Sequence, residues 1–242
     1  MKIDLVSIFP DLLRQWFQQG VVGRSFGSLV TMTYHNPRDF SDDRHGRIDD
    51  RPFGGGSGMV MEYAPLARIG ERLRSEGAFN IYVSPQGIPF SQPLAGQLAE
   101  KPQLAFFCGR YEGMDQRFID KYIDVEISLG DFVISGGEMA AAVMIDAILR
   151  LVAGVLGNSQ SALEDSFQGG LLDCPHYTRP ELVDRMPVPA VLLSGNHGAI
   201  RRWRLKQALG ETFLRRPDIF KQLQLSGEQM ALLNEYLKES NE

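Results

Sequence analysis

The sequence predicts an α/β fold built on a parallel sheet, followed by a small all-helical C-terminal domain. As far as residue 157, short apolar runs of buried-strand length alternate with helix-like stretches, a pattern typical of parallel sheets with helical crossovers. Beyond that residue the chain begins with a polar stretch that ends in two glycines. A segment with several prolines follows, and the remainder has the periodicity of helices. A length of 242 residues accommodates one medium domain and one small one.

The first domain is predicted to contain five strands with helices between them. The strands are apolar runs rich in β-branched and aromatic residues, namely Ile3–Phe9, Leu29–Tyr34, Phe79–Val83, Leu104–Cys108 and Ile123–Leu129. The helices are predicted over Asp11–Gln18, Ala64–Ser75, Pro93–Glu100 and Asp115–Tyr122.

The strongest predicted helix covers Met139–Val155. Ser135 and Glu138 before it fit the S-x-x-E capping box, in which a hydroxyl and a carboxylate bond the first free N–H groups. Asp146 and Arg150 are four residues apart and are positioned to pair on the helix surface.

Changes in composition divide the chain into three segments. We expect a first domain over 1–160, a flexible linker over 161–172 and a second domain over 173–242. The linker region is polar, rich in small residues and ends in two glycines, as hinges often do. Helices of the second domain are predicted over 198–209, 211–215, 217–223 and 226–240.

The composition excludes several classes of protein. Apolar residues at 43%, charged residues at 23% and a net charge of −5 are those of an ordinary globular chain. Cys108 and Cys174 are too few and too far apart for a disulfide framework or a zinc ribbon. The first residues lack the pattern of a signal peptide, and the most apolar stretch carries Asp146 and Arg150. We therefore expect a cytoplasmic protein with no membrane partner.

Three of the predicted strands end in loops rich in glycine and polar residues, at 84–87, 109–113 and 130–138. A single loop of this kind is more often a plain turn. Ligands bind at the carboxyl ends of parallel strands, however, so the three together predict one convergent pocket. Because the G-x-x-x-x-G-K-S/T, G-x-G-x-x-G, H-E-x-x-H and G-x-S-x-G motifs are all missing, the pocket suits a nucleoside-like ligand without a triphosphate.

Two further segments leave alternatives open. The glycine-rich run at 54–58 lacks a lysine, so it is a lid, an anion nest or simply a flexible loop. The stretch 197–221 contains seven basic and two acidic residues. It either docks a polyanion or forms a solvated helix surface.

Long motifs make the sequence similar to a known family. They are DRPFGGGSGMVM at 50–61, SPQG at 84–87, CGRYEG at 108–113, GDFVISGGE at 130–138, EDSFQGGLLDCPHYTRP at 164–180 and LLSGNHGAIRRWRLKQALG at 192–210. With these motifs the chain resembles the bacterial tRNA (guanine-N1)-methyltransferases, the TrmD proteins of the knotted SPOUT class, from Ser7 to about Phe220. One departure is Ala140, where the family usually has proline; we expect this to change donor affinity slightly.

The resemblance implies an enzyme that methylates N1 of guanine 37, beside the tRNA anticodon, with S-adenosylmethionine as donor. It also implies a deep trefoil knot, a homodimer with its active sites at the subunit interface, and a requirement for Mg²⁺. The rival functions are a SPOUT methyltransferase acting on another RNA base, a catalytically silent RNA-binding protein, and a nucleotide hydrolase that uses the 54–58 loop.

The site residues follow from the motifs and the resemblance. The donor is expected to contact Tyr82, Ser84, Pro85, Gln86, Gly87, Gly109, Arg110, Tyr111, Glu112, Leu129, Gly130, Asp131, Phe132, Val133, Ile134, Gly136 and Gly137. By resemblance, Asp165 is the base that removes the N1 proton and Arg150 stabilises the charge on O6. Glu112 and Asp165 are the candidate metal ligands.

Without the resemblance, Asp165 and Glu112 would be solvated loop carboxylates and Arg150 the helix partner of Asp146. The candidate RNA contacts are Asp49, Asp50, Arg51, Arg201, Arg202, Arg204 and Lys206. The first three also fit a plain charged loop. The four basic residues fan out around one helix, so they cannot all face one RNA surface. Trp203 is expected in the core rather than on a base.

Overall fold

A computed structural model describes residues 1–156 and 165–240. In chain order the strands are β1 (Lys2–Val6), β2 (Thr31–His35), β3 (Asp49–Asp50), β4 (Val60–Met61), β5 (Phe79–Pro89), β6 (Gln103–Cys108), β7 (Val125–Ser128), β8 (Leu182–Val183) and β9 (Met186–Pro187). The helices are α1 (Pro10–Trp16), α2 (Gly20–Gly23), α3 (Tyr63–Ser75), α4 (Gln92–Ala99), α5 (Gln116–Tyr122), α6 (Gly137–Leu149), α7 (Ala190–Leu193), α8 (His197–Arg215), α9 (Pro217–Phe220) and α10 (Gly227–Glu239), with a 3-10 turn at Pro37–Phe40.

Five strands form one sheet in the order β2-β1-β6-β5-β7, and every neighbouring pair is parallel. The predicted α/β fold with a parallel sheet is therefore confirmed. The chain divides into two compact units, Met1–Ser159 and Gln160–Glu242. We refer to them as the first and the second unit. No helix within the described ranges is both long and apolar enough to cross a bilayer.

Each face of the sheet in the first unit packs against its own layer of helices. In β6, Leu104, Phe106 and Cys108 belong to the hydrophobic cluster that includes α6. Ala105 and Phe107, which alternate with them, belong to the cluster that includes α3 and α5. All six residues of β6 are buried, and Leu104–Cys108 form a continuous apolar run, as in central parallel strands.

Two predicted features of the first unit are wrong. The capping box is absent, because Gly136 is the N-cap of α6 and no side chain caps it. Glu138 is instead completely buried. The helix itself ends at Leu149 rather than Val155, and the following residues form turns that include Gly154 at a φ of 85°.

The second unit is mainly helical but not all-helical. β8 and β9 form a short antiparallel hairpin, which corrects the all-helical expectation. The helices predicted over 198–209 and 211–215 are one continuous helix, α8, because Gly210 lies within it against the ring of Tyr236. α8 packs on α10 around buried leucines. Residues 161–164 of the predicted linker lie outside the described residues.

Candidate methyl-donor and RNA sites

Three segments, one within β5 and two that follow β6 and β7, meet around a cavity of about 320 Å³ in the first unit. This is the carboxyl edge of the parallel sheet, where α/β folds bind ligands. The lining includes most of the residues expected to contact the donor, namely Tyr82, Ser84, Pro85, Gly109, Arg110, Tyr111, Glu112, Leu129, Gly130, Phe132, Val133, Ile134, Gly136 and Gly137. Gln86, Gly87 and Asp131 are not among the lining residues.

The first segment is not the simple turn that the sequence suggested, because β5 continues through it to Pro89. Val83 and Ile88 both pair with Ile127 of β7, so residues 84–87 bulge out of the ladder between them. A Cβ on Gly87 would lie 2.3 Å from the backbone of Glu126 and Ile127. Only glycine therefore fits where the bulge returns to β7.

The second segment, 109–113, is supported from below by Tyr82. A Cβ on Gly109 would lie 2.9 Å from the Tyr82 hydroxyl, so the loop backbone rests directly on this ring. Tyr82 is buried, and the burial, together with the charge of Glu126, raises its pKa. The hydroxyl is thus a neutral hydrogen-bonding group in the floor of the cavity.

Tyr111 connects the same segment to the antiparallel β3–β4 pair. The residue adopts a φ of 60° and its side chain is half-exposed. Burial raises its pKa most, and the nearby charge of Asp49 raises it further. Of the acidic residues predicted to contact RNA, Asp49 therefore lies close to a residue that lines this cavity.

The third segment, 129–137, brings apolar side chains to the cavity. Phe132, Val133 and Ile134 all line it, and all are exposed, Val133 to 97%. Exposed large apolar side chains clustered beside a cavity mark a binding surface. They suit the apolar faces of a nucleoside.

The glycine-rich run is tied to the cavity at one end. The N–H of Glu112 donates to the carbonyl of Met59, and the N–H of Met61 donates to the carbonyl of Gly113. The Glu112 carboxylate lies against Gly58, where a Cβ would come within 2.3 Å of its Oε1. Asp50 and Arg51, which precede the run, are both exposed.

The two candidate catalytic residues lie in different units. Arg150 is the C-cap of α6, and its backbone N–H donates to the carbonyl of Asp146. Asp165 is half-buried in the second unit, and its carbonyl accepts from the N–H of Gln168.

The four basic residues predicted to contact RNA have different environments on α8. Arg202 donates to Glu235 at 2.6 Å, and Lys206, which is buried, donates to Glu239 at 2.7 Å and to Glu235 at 3.0 Å. These contacts join α8 to α10. Arg201 and Arg204 are exposed.

A second cavity, of about 350 Å³, lies within the second unit beside Arg204. Its walls include Tyr177 and Trp203, whose ring centroids are 6.3 Å apart, and Arg179. Trp203 is half-buried rather than in the core. Sequence reasoning missed this cavity, since only folding brings the Y-T-R segment against the first turns of α8.

One group of possible metal ligands occurs in the described part of the chain, formed by Asp173, Cys174 and His176. The His176 ring lies 2.8 Å from the Asp173 carboxylate, and burial raises the pKa of the Cys174 thiol. A protonated thiol does not suit Mg²⁺, which prefers oxygen ligands. The group contains neither Glu112 nor Asp165.

The family profile described as tRNA (Guanine-1)-methyltransferase TrmD matches residues 1–222. The chain belongs to this family. Its relatives include the tRNA (guanine-N(1)-)-methyltransferase of Marinomonas sp. (strain MWYL1), 52% identical over 245 residues, which span 100% of this chain and 98% of the relative. The enzyme of the same name from Shewanella amazonensis is 51% identical over 243 residues, 99% of this chain and 97% of the relative. That from Pseudomonas fluorescens is 50% identical over 246 residues, 100% and 98%.

Membership of the TrmD family confirms the resemblance and makes the chain a methyltransferase. It also decides against a nucleotide hydrolase built on the 54–58 loop. The exposed apolar side chains and backbone groups of the first cavity provide what a nucleoside-like methyl donor needs. Of the RNA candidates on α8, Arg202 and Lys206 bind carboxylates of α10, although Arg202 is exposed. Arg201 and Arg204 are exposed as well.

Proposed function

We propose that this TrmD family member transfers the methyl group of S-adenosylmethionine to N1 of guanine 37, beside the anticodon of tRNA. One observation carries the proposal. Three loops at the carboxyl edge of one sheet enclose a cavity in a chain whose relatives, matched over almost their full length, are named tRNA (guanine-N(1)-)-methyltransferase. A tRNA substrate also implies action in the cytoplasm.

The first cavity fits the donor in size and chemistry. A cavity of about 320 Å³ is within the range of small-molecule sites. The donor supplies an electrophilic methyl group on a positively charged sulfur. No lysine occurs in the three loops, and Arg110, the one cationic residue there, is paired with Glu138. The wall therefore presents little net positive charge to the sulfonium.

Guanine N1 carries a proton that must leave as the methyl group arrives, so a base is needed. We assign this role to Asp165. An ordinary carboxylate is a weak base for this purpose, and Arg150 compensates by stabilising the negative charge that develops on O6. A base within the predicted linker can be assembled with the RNA, which favours the correct substrate.

Glu112 is the residue best suited to hold Mg²⁺. Its exposed carboxylate at the edge of the cavity fits an ion that keeps several waters and takes one or two carboxylates. Asp165 is the other candidate ligand. Bound there, the ion would supply positive charge beside the reacting groups.

The RNA is proposed to contact both units. Asp49, Asp50 and Arg51 would hold the flipped guanine beside the donor. In the second unit, Arg204 and the aromatic pair of the second cavity provide a cation and stacking surfaces for a nucleotide. Arg202 and Lys206 contact RNA only if its phosphates replace the carboxylates that these side chains now bind.

We also propose a homodimer and the trefoil knot of the family. Helix α1 packs against α6, and both leave apolar side chains exposed. These are Phe9 at the N-cap of α1, Leu12, Trp16, Met139 and Val143. A neighbouring set of exposed apolar side chains supports a protein interface.

Methyl transfer by an Asp165→Asn variant tests the catalytic assignment, because asparagine keeps the shape of the side chain but removes its basicity. Turnover of tRNA should fall by about 100-fold or more, while the affinity for the donor stays within about twofold. The matched control is Asp120→Asn, the same change at an exposed position on α5, which should act like the wild type. Unchanged turnover in the Asp165 variant would exclude this residue as the base.

A further inference from the structure

Glu138 is a buried carboxylate whose role was not apparent from the sequence. It is the second residue of α6 and has no exposed surface, which is rare for glutamate unless it is paired. The Ser7 hydroxyl donates to Glu138 Oε1 at 2.7 Å, and Arg110 Nε donates to Oε2 at 2.9 Å. The carboxylate thus connects the segment after β1, the loop after β6 and the start of α6.

Arg110, held in this way, supports the third loop of the donor cavity. Its Nη1 donates to the carbonyl of Ser135 at 3.0 Å, and its guanidinium lies 4.7 Å from the ring centroid of Phe9. A Cβ on Gly136 would lie 2.2 Å from Arg110 Nε. The backbone at 135–136 therefore rests directly on the guanidinium.

The pair also controls the charge of the cavity wall. Arg110 lines the cavity and its side chain is 20% exposed, whereas Glu138 is 1% exposed. An unpaired guanidinium at this position would repel a sulfonium at close range in a partly dry cavity. The buried carboxylate cancels that charge from behind while leaving the wall in place.

We propose that Glu138 is a positioning residue of the methyl-donor site. Together with Ser7 it fixes Arg110, which shapes the 129–137 loop, and it neutralises the cavity wall so that the site accepts a cationic donor. The inference rests on the proposed function. It adds a residue that acts on the donor through Arg110 and a reason why the cavity wall does not repel a cationic ligand.

The test compares two ligands that differ chiefly in charge at sulfur, S-adenosylmethionine with its sulfonium and S-adenosylhomocysteine with its neutral thioether. Their dissociation constants are measured by titration calorimetry on the wild type and on Glu138→Gln. Both ligands should bind more weakly to the variant, because Arg110 is no longer fixed. The ratio of the two constants should also shift by about fivefold or more against the cationic ligand. In steady-state assays the KM for the donor should rise far more than kcat falls.

Three other variants separate charge from shape. Ser7→Ala keeps the ion pair, so both ligands should weaken equally with no change in their ratio. The double variant Arg110→Gln/Glu138→Gln removes both charges, and it should restore the wild-type ratio even though both affinities are lower. If Glu138→Gln does not fold, Arg110→Gln replaces it: removing the guanidinium should shift the ratio towards the cationic ligand, and an unchanged ratio would overturn the inference. Glu71→Gln, at an exposed position on α3, is the control for a simple loss of charge and should match the wild type.

Two failures can be told apart. If the wild type binds neither ligand, the proposed function is wrong. If the wild type binds both ligands, and Glu138→Gln lowers the melting temperature but leaves their ratio unchanged, Glu138 is only a structural residue and the inference is overturned.

Discussion

Two sets of charged side chains, one in each unit, are held in different ways. In the first unit the carboxylates of Asp4 and Glu138 are completely buried. Each accepts from side chains distant in sequence, as Asp4 does from Gln103 at 2.8 Å, with the His35 ring 2.7 Å away. In the second unit Arg202 and Glu235 meet at the surface between two helices, with side chains 55% and 36% exposed.

This difference separates fixed charges from exchangeable ones. Removing one partner of a buried pair leaves an uncompensated charge and costs several kcal/mol, so such a pair behaves as a rigid part of the fold. An exposed pair contributes about 1 kcal/mol or less, so a phosphate can replace its carboxylate at little cost. The proposed donor cavity includes a buried pair, Arg110 and Glu138, and the proposed RNA surface of α8 includes an exposed pair, Arg202 and Glu235.

The largest effect on stability is expected where backbone contacts backbone in the first unit. Gly87→Ala would place a Cβ 2.3 Å from β7, and we expect a loss of about 3 kcal/mol in the free energy of unfolding. Gly96→Ala is the control, since its Cβ would have open space in α4 and alanine favours helices. Urea denaturation of both variants checks this. Equal stability would show that the bulge at 84–87 is not rigid.

A smaller effect is expected on tRNA binding through α8. Arg204→Ala should weaken binding by about fivefold and reduce the dependence of the binding constant on salt by about one ion. Arg202→Ala should have less effect, because its guanidinium is engaged by Glu235. Filter binding over a series of salt concentrations measures both. A larger effect for Arg202 than for Arg204 would reverse our division of this surface.

The smallest effect concerns pH. Arg202 and Lys206 lower the pKa of Glu235 from 4.5 to about 2. A carboxylate whose pKa is lowered by folding stabilises the protein above its ordinary pKa, and this is lost as pH falls towards 2. Glu235→Gln should therefore lower the melting temperature by about 1–3 °C at pH 7. The difference from the wild type should disappear between about pH 5 and pH 2. A difference that persists at pH 2 would mean that the pair is not responsible.

The sequence was sufficient for the parallel sheet and for the loops at its carboxyl edge, because both follow from local patterns. Prediction from the sequence failed where contacts with distant segments determine the local structure. Ser135 and Glu138 have the spacing of a capping box, yet Ser7 and Arg110 take the carboxylate. The predicted helices 198–209 and 211–215 left a break at Gly210, but this glycine lies within one helix, where the ring of Tyr236 occupies the space that a side chain would need.

Nucleoside mass spectrometry of tRNA tests the central claim most directly. The wild-type protein is incubated with unmodified tRNA and donor carrying a deuterated methyl group, and the tRNA is then digested. We predict labelled 1-methylguanosine in the fragment that contains the residue after the anticodon, and none without protein. Label on a different base, or no label in tRNA when the donor is shown to bind, would contradict the account.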